Sequence, residues 1–172
     1  GVNPANSWSS GGLAAVWARE NTRESLFDAL QRRETYGTSG PRIKVRFFAV
    51  RESAAVQLED HDLVAKSYSA GVPMGGRLEG QEVSPRFIVW AERDPLGANL
   101  DRIQIIKGWI DDRGVGQERI FDVAVSGSRS IDAAGKTTPV GSNVDLVMAS
   151  YKNTIGAASL KVSWQDPSFR SD

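Results

Sequence analysis

An antiparallel β-sandwich with one α-helix near its N-terminus, a mainly β fold of the α+β kind, is what this sequence predicts. Three observations predict it. Short apolar runs with a two-residue alternation recur between residues 43 and 164. Clusters of Gly, Pro and Asp separate them at hairpin spacing. A single segment near the front carries the spacing of an amphipathic helix. With 172 residues, one such domain can bury roughly 70% of its unfolded surface.

The elements follow in chain order. The run Leu13-Ala14-Ala15-Val16-Trp17-Ala18 has the length of a buried strand. Asn21 then predicts a helix N-cap, and Glu24 completes a capping-box spacing. Leu26, Phe27 and Leu30 form an apolar stripe, with Arg23, Asp28, Gln31 and Arg32 turned elsewhere. Arg32 and Arg33 suit the carbonyl end of the helix dipole. Gly37 and the Gly40-Pro41 pair are expected to end the helix. Residues 1–40 thus read as a strand–helix segment, and 41–172 as the sandwich proper.

After Pro41 the period becomes two: Ile43, Val45 and Phe47 alternate with Lys44, Arg46 and Phe48. Residues 86–91, 102–110, 119–125, 144–151 and 158–164 repeat the pattern. Turn chemistry lies between them, in Asp94-Pro95-Leu96-Gly97, Asp111-Asp112-Arg113-Gly114, Gly135-Lys136 and Pro139-Val140-Gly141. Residues 60–68 predict a short helix or an irregular crossover.

Composition narrows the function classes. Twenty-one basic and twenty-one acidic residues cancel, so no basic field exists to draw a nucleic acid. No apolar stretch approaches the roughly 18 residues of a membrane span. Cysteine is absent, which excludes disulfides and thiolate metal sites. That absence leaves the compartment open, and a periplasmic or secreted parent is compatible with it. The start Gly1-Val2-Asn3-Pro4-Ala5-Asn6-Ser7 has no initiator Met and no signal-peptide pattern, and reads as the interior of a longer chain.

His61, between Asp60 and Asp62, is the sole histidine. As a metal ligand or general base it would need partners that the sequence does not supply, and a polar cap before a helix is the simpler reading. Gly71-Val72-Pro73-Met74-Gly75-Gly76 lacks the Lys-Ser/Thr of a phosphate cradle. Its glycines are expected to serve a sharp turn between sheets. Asp94, Asn99 and Asp101 offer oxygens that calcium accepts, although the stretch is also ordinary turn chemistry. Arg23, Arg32 and Arg33 could clamp an anion, but about 14 Å of helix separates the first from the others, which favours a solvated face or a domain contact. Trp17, Trp90, Trp109 and Trp164, with Tyr36, Tyr68 and Tyr151, could form a sugar-stacking platform. Each of these tryptophans adjoins an apolar run, so core packing is expected for most, with Trp8 exposed. The ligand-binding candidates are therefore Arg23, His61, Asp94 and Asn99, with no catalytic or metal-binding residue assigned.

The segment from Gly12 to Leu30, continuing through Arg32-Arg33-Glu34-Thr35-Tyr36-Gly37 to Ile43, resembles a large bacterial family whose function is not established. Gly71 to Gly76, Asp94-Pro95 with Gly97-Ala98-Asn99-Leu100-Asp101-Arg102, and Trp164-Gln165-Asp166-Pro167-Ser168-Phe169 fit the same family. That family is similar to the PHP (polymerase and histidinol phosphatase) superfamily of metal-dependent hydrolases. The resemblance implies a C-terminal β-sandwich accessory domain, packed against an upstream catalytic barrel that carries the His and Asp ligands of a divalent metal. No cofactor is expected in the chain itself. Family members continue past Asp166-Pro167 with another aromatic strand, whereas this chain stops at Asp172, so an open sheet edge could pair chains into a homo-oligomer. The alternative reading is a binding module for carbohydrate or another ligand.

Overall fold

The computed structural model describes residues 11–80 and 83–170. Trp8 lies outside the described residues. The elements are β1 (Leu13–Val16), α1 (Arg23–Gln31), β2 (Thr35–Thr38), β3 (Lys44–Val50), α2 (Leu63–Ala70), β4 (Gly71–Pro73), β5 (Arg86–Glu92), β6 (Arg102–Ile110), β7 (Gly116–Val125), β8 (Val144–Asp145), β9 (Ser150–Tyr151) and β10 (Ser159–Gln165). The fold is mainly β and every paired strand is antiparallel.

Four strands in the order β10-β5-β3-β4 make the central sheet. Its two faces bury different clusters, because side chains alternate across a strand. Phe47, Val89, Leu160, Val162 and Trp164 meet Ile103, Phe121 and Val123 of the β6–β7 hairpin, which forms the second layer of the sandwich. Phe48, Val50 and Ile88 point the other way, against Leu63 of α2 and Val56 of the preceding loop. The adjacent phenylalanines Phe47 and Phe48 thus serve opposite faces. Phe48, in the polar phase of the expected alternation, is buried because α2 covers its side.

The structure corrects several expectations. A second helix joins the N-terminal one: of the two readings of residues 60–68, the short helix is what forms, as α2. The N-cap of α1 is Thr22, not Asn21, and its hydroxyl accepts the Ser25 N–H at 3.3 Å. Helix α1 ends before Gly37 is reached. Arg33 takes the left-handed conformation at φ 59°, and the Glu34 N–H reaches back to the Ala29 carbonyl at 3.0 Å. Gly37 instead lies in β2, paired with Ala14 of β1. β1 is a partly exposed strand paired only with β2 among the described residues, and is not buried. The segment 144–151 is interrupted: two two-residue strands flank an exposed turn.

The glycines near residue 71 do more than turn the chain. Gly71 opens β4 and pairs with Val50. A Cβ there would sit 2.1 Å from the Ala49 carbonyl oxygen. Gly75, at φ 78°, lies so close to Arg33 that a Cβ would come within 2.2 Å of its carbonyl oxygen. This stretch therefore docks the edge of the central sheet onto the end of α1 through backbone contact that only glycine permits.

Candidate functional site

The face of the central sheet that carries α2 also carries a polar end. Register places Arg46 of β3 opposite Trp90 of β5, and Trp90 opposite Lys161 of β10. These three residues form one row. The Trp90 indole N–H donates to the Ser159 hydroxyl at 3.1 Å, and the Lys161 ammonium lies 4.2 Å from a Trp90 ring centroid. At the other end of the row, the Arg46 guanidinium stacks 3.4 Å from the Trp17 centroid. The Trp17 indole N–H donates to the Val45 carbonyl at 2.8 Å, which ties the β1–β2 pair to the sheet.

Beneath Arg46 sits a buried carboxylate. Glu34 is 3% exposed, accepts a hydrogen bond from the Tyr68 hydroxyl, and pairs with Arg46 at 3.6 Å. Arg46 also donates to the Tyr68 oxygen at 2.9 Å. Burial, then the bond to Glu34, raises the Tyr68 pKa above its ordinary value. A charge in this position requires a cation and a donor, and it has both. The cluster joins the end of α1, β3 and α2, so its first role is structural.

Beside this row runs a groove of about 680 Å³, lined by Asp60, His61, Val64, Tyr68, Trp90 and Lys161 among others. Trp90 is shared with a smaller cavity of about 230 Å³ bounded by Trp17, Lys44, Arg46, Val64 and Glu92. His61 is exposed on the groove wall. Asp60 accepts the Gln57 N–H at 2.9 Å and pairs with Lys66 at 3.0 Å. Those two bonds, the backbone one first, hold its carboxyl below the usual range, while its partners Asp60 and Asp62 raise Lys66.

The four candidates read from sequence are scattered. Only His61 reaches this groove. Asp94 caps a turn, accepting the Arg42 N–H at 2.7 Å and the Leu96 N–H at 2.9 Å, and these bonds lower its pKa. Asn99 donates to the Ile155 carbonyl at 2.9 Å and clasps the loop before β10. Arg23 is exposed on the first turn of α1. Arg32 turns back to Glu34 at 3.6 Å, so the three arginines do not converge. Among the described residues, no group of three or more His, Asp or Glu side chains is placed to hold a metal ion. The divalent metal that the resemblance implies therefore finds no fitting site among the described residues.

The tryptophans depart from expectation. Trp164 alone packs into a core cluster, while Trp17 and Trp90 are half-buried and line the cavities. Trp109 is 40% exposed and borders a second cleft of about 610 Å³ with Arg119, Phe169 and Arg170. Sequence reasoning missed Arg46, Glu34 and Lys161 as site residues. Lys161 and Arg46 stand out in hindsight as cations in the phase of β10 and β3 that faces Trp90. Glu34 carried no local signal, because its partners come from other elements.

A family model described as "Protein of unknown function (DUF3604)" matches residues 2–172. The chain belongs to the DUF3604 family. Neither the curated proteins nor the solved structures gave a match to it. The DUF3604 match covers the β1–α1–β2 unit, the sandwich and the residues that line the groove. It names no reaction, and the chemistry has to come from the residues.

Proposed function

We propose that this DUF3604 chain is a non-catalytic β-sandwich domain of a metal-dependent hydrolase of the PHP kind, and that it packs against the catalytic barrel through α1. One observation carries the reading. Two of the three residues of the apolar stripe turn away from the chain's own core: Phe27 is 58% and Leu30 55% exposed, while Leu26 is partly buried and Ala29 fully buried. With Leu13 of the adjacent β1 also exposed, the unit presents apolar surface that a neighbouring domain would cover. The resemblance to PHP-related proteins supplies the identity of that neighbour, since there the equivalent strand and helix follow the barrel. The divalent metal would be held by the barrel's own His and Asp residues. The free edge of β10, seven residues long, supports a further contact, a strand added from another chain.

The test compares two polypeptides. The 172-residue chain is expected to show no phosphoesterase activity stimulated by manganese or zinc ions. A polypeptide extended upstream to include the barrel is expected to show it. Metal-dependent turnover by the chain alone would overturn the proposal.

A further inference from the structure

The cations around the groove are not equivalent. Lys44 pairs with Glu92 at 3.7 Å, Arg46 with Glu34 at 3.6 Å, and Lys66 with Asp60 and Asp62 at 3.0 and 3.3 Å. Lys161 makes no ion pair among the described residues. Its ammonium rests instead over Trp90, whose indole is held by Ser159. A cation without a counter-charge, set beside a fixed aromatic ring at the wall of a groove, is an incomplete constellation.

From this geometry we propose that the groove binds an acidic sugar, a uronate unit of a polysaccharide. The apolar C–H face of the sugar ring stacks on Trp90, and its carboxylate takes the place opposite Lys161. His61, Asp60 and Tyr68 line the remaining wall, where they offer donors and acceptors of both kinds to ring hydroxyls. A volume of about 680 Å³ lies within the range of small-ligand sites. Chemistry narrows the class from both sides. Asp60 and Asp62 at the groove are paired with Lys66, which leaves the Lys161 ammonium to receive a ligand carboxylate. The lining also carries the apolar side chains Leu58, Leu63 and Val64, which suit the C–H face of a sugar ring. Holding a glycan beside a catalytic barrel would go beyond the packing role, but the binding does not depend on that role.

The experiment is calorimetric titration of the 172-residue chain with an oligogalacturonate, with a cello-oligosaccharide of equal length as the neutral control. The uronate is expected to bind at least about tenfold more tightly than the control. Lys161→Gln, at an exposed position, is expected to remove that preference, lowering uronate affinity about tenfold at unchanged thermal stability. Trp90→Phe is expected to weaken both ligands. No binding of the uronate, equal binding of the neutral sugar, or unchanged uronate affinity in Lys161→Gln would each overturn the proposal. None of these readouts involves hydrolysis, so the fate of the hydrolase reading is decided separately.

Discussion

The guanidinium of Arg46 lies 3.4 Å from the centroid of the Trp17 ring, and through this contact a strand of the central sheet grips the β1–α1–β2 unit. The same guanidinium reaches the Tyr68 oxygen and the buried Glu34. One side chain therefore bridges β3, the end of β1, the end of α1, and α2.

Removing the carboxylate from this cluster should be costly. Glu34→Ala leaves Arg46 and the Tyr68 hydroxyl without their acceptor, and a loss of about 3 kcal/mol is expected in urea unfolding. Arg32→Ala removes only the half-exposed partner of the same carboxylate. Its effect should stay under about 0.5 kcal/mol.

Helix α1 gives a second contrast. Phe27→Ser and Leu30→Ser are expected to change the stability of the 172-residue chain by less than about 0.5 kcal/mol, since neither side chain is buried in it. Phe48→Ala should cost about 3–5 kcal/mol by opening a cavity under α2. Ala29→Leu should cost about 1–3 kcal/mol through overpacking. Thermal and chemical unfolding of the four variants checks the order.

Backbone approach decides the glycines. Gly75→Ala places a Cβ 2.2 Å from the Arg33 carbonyl oxygen at a left-handed φ, and about 3 kcal/mol or more is expected. Gly80, at φ 65° but with open space around its Cβ position, should lose only about 1 kcal/mol as alanine. Similar losses at both sites would contradict the docking role assigned to Gly75.

Acid sensitivity should centre on buried aspartates. Burial alone would raise Asp166, but the Lys107 ammonium and the Ser168 N–H outweigh it and hold its pKa below the ordinary value. A depressed folded pKa means the stabilisation is complete above about pH 4 and is lost as pH falls through the folded value. Asp166→Asn is therefore expected to cost about 2 kcal/mol at neutral pH, with the gap from wild type closing as acid protonates the native carboxyl. Denaturation midpoints measured across the acid range give the profile.

Much of the sheet was legible because alternation is a local signal. Residues 44–50, 86–92 and 159–165 show it, and they form three of the four central strands. β4 was not legible, since its Gly-Val-Pro sequence is turn chemistry and only pairing with β3 makes it a strand. α1 was legible as a helix but not in orientation, because periodicity marks an apolar face without saying which body covers it. For the site, His61 could be named from sequence. Trp90 was named too, as a possible stacking residue, but its placement beside Lys161 depends on cross-strand register, which no local pattern reveals.

The out-turned face of α1 is the feature on which the domain assignment depends, and hydrogen exchange reads it most directly. Backbone amides of residues 23–31 should exchange markedly more slowly in a polypeptide that includes the proposed upstream barrel than in the 172-residue chain. Equal exchange in the two would mean that nothing covers Phe27 and Leu30, and would contradict the account.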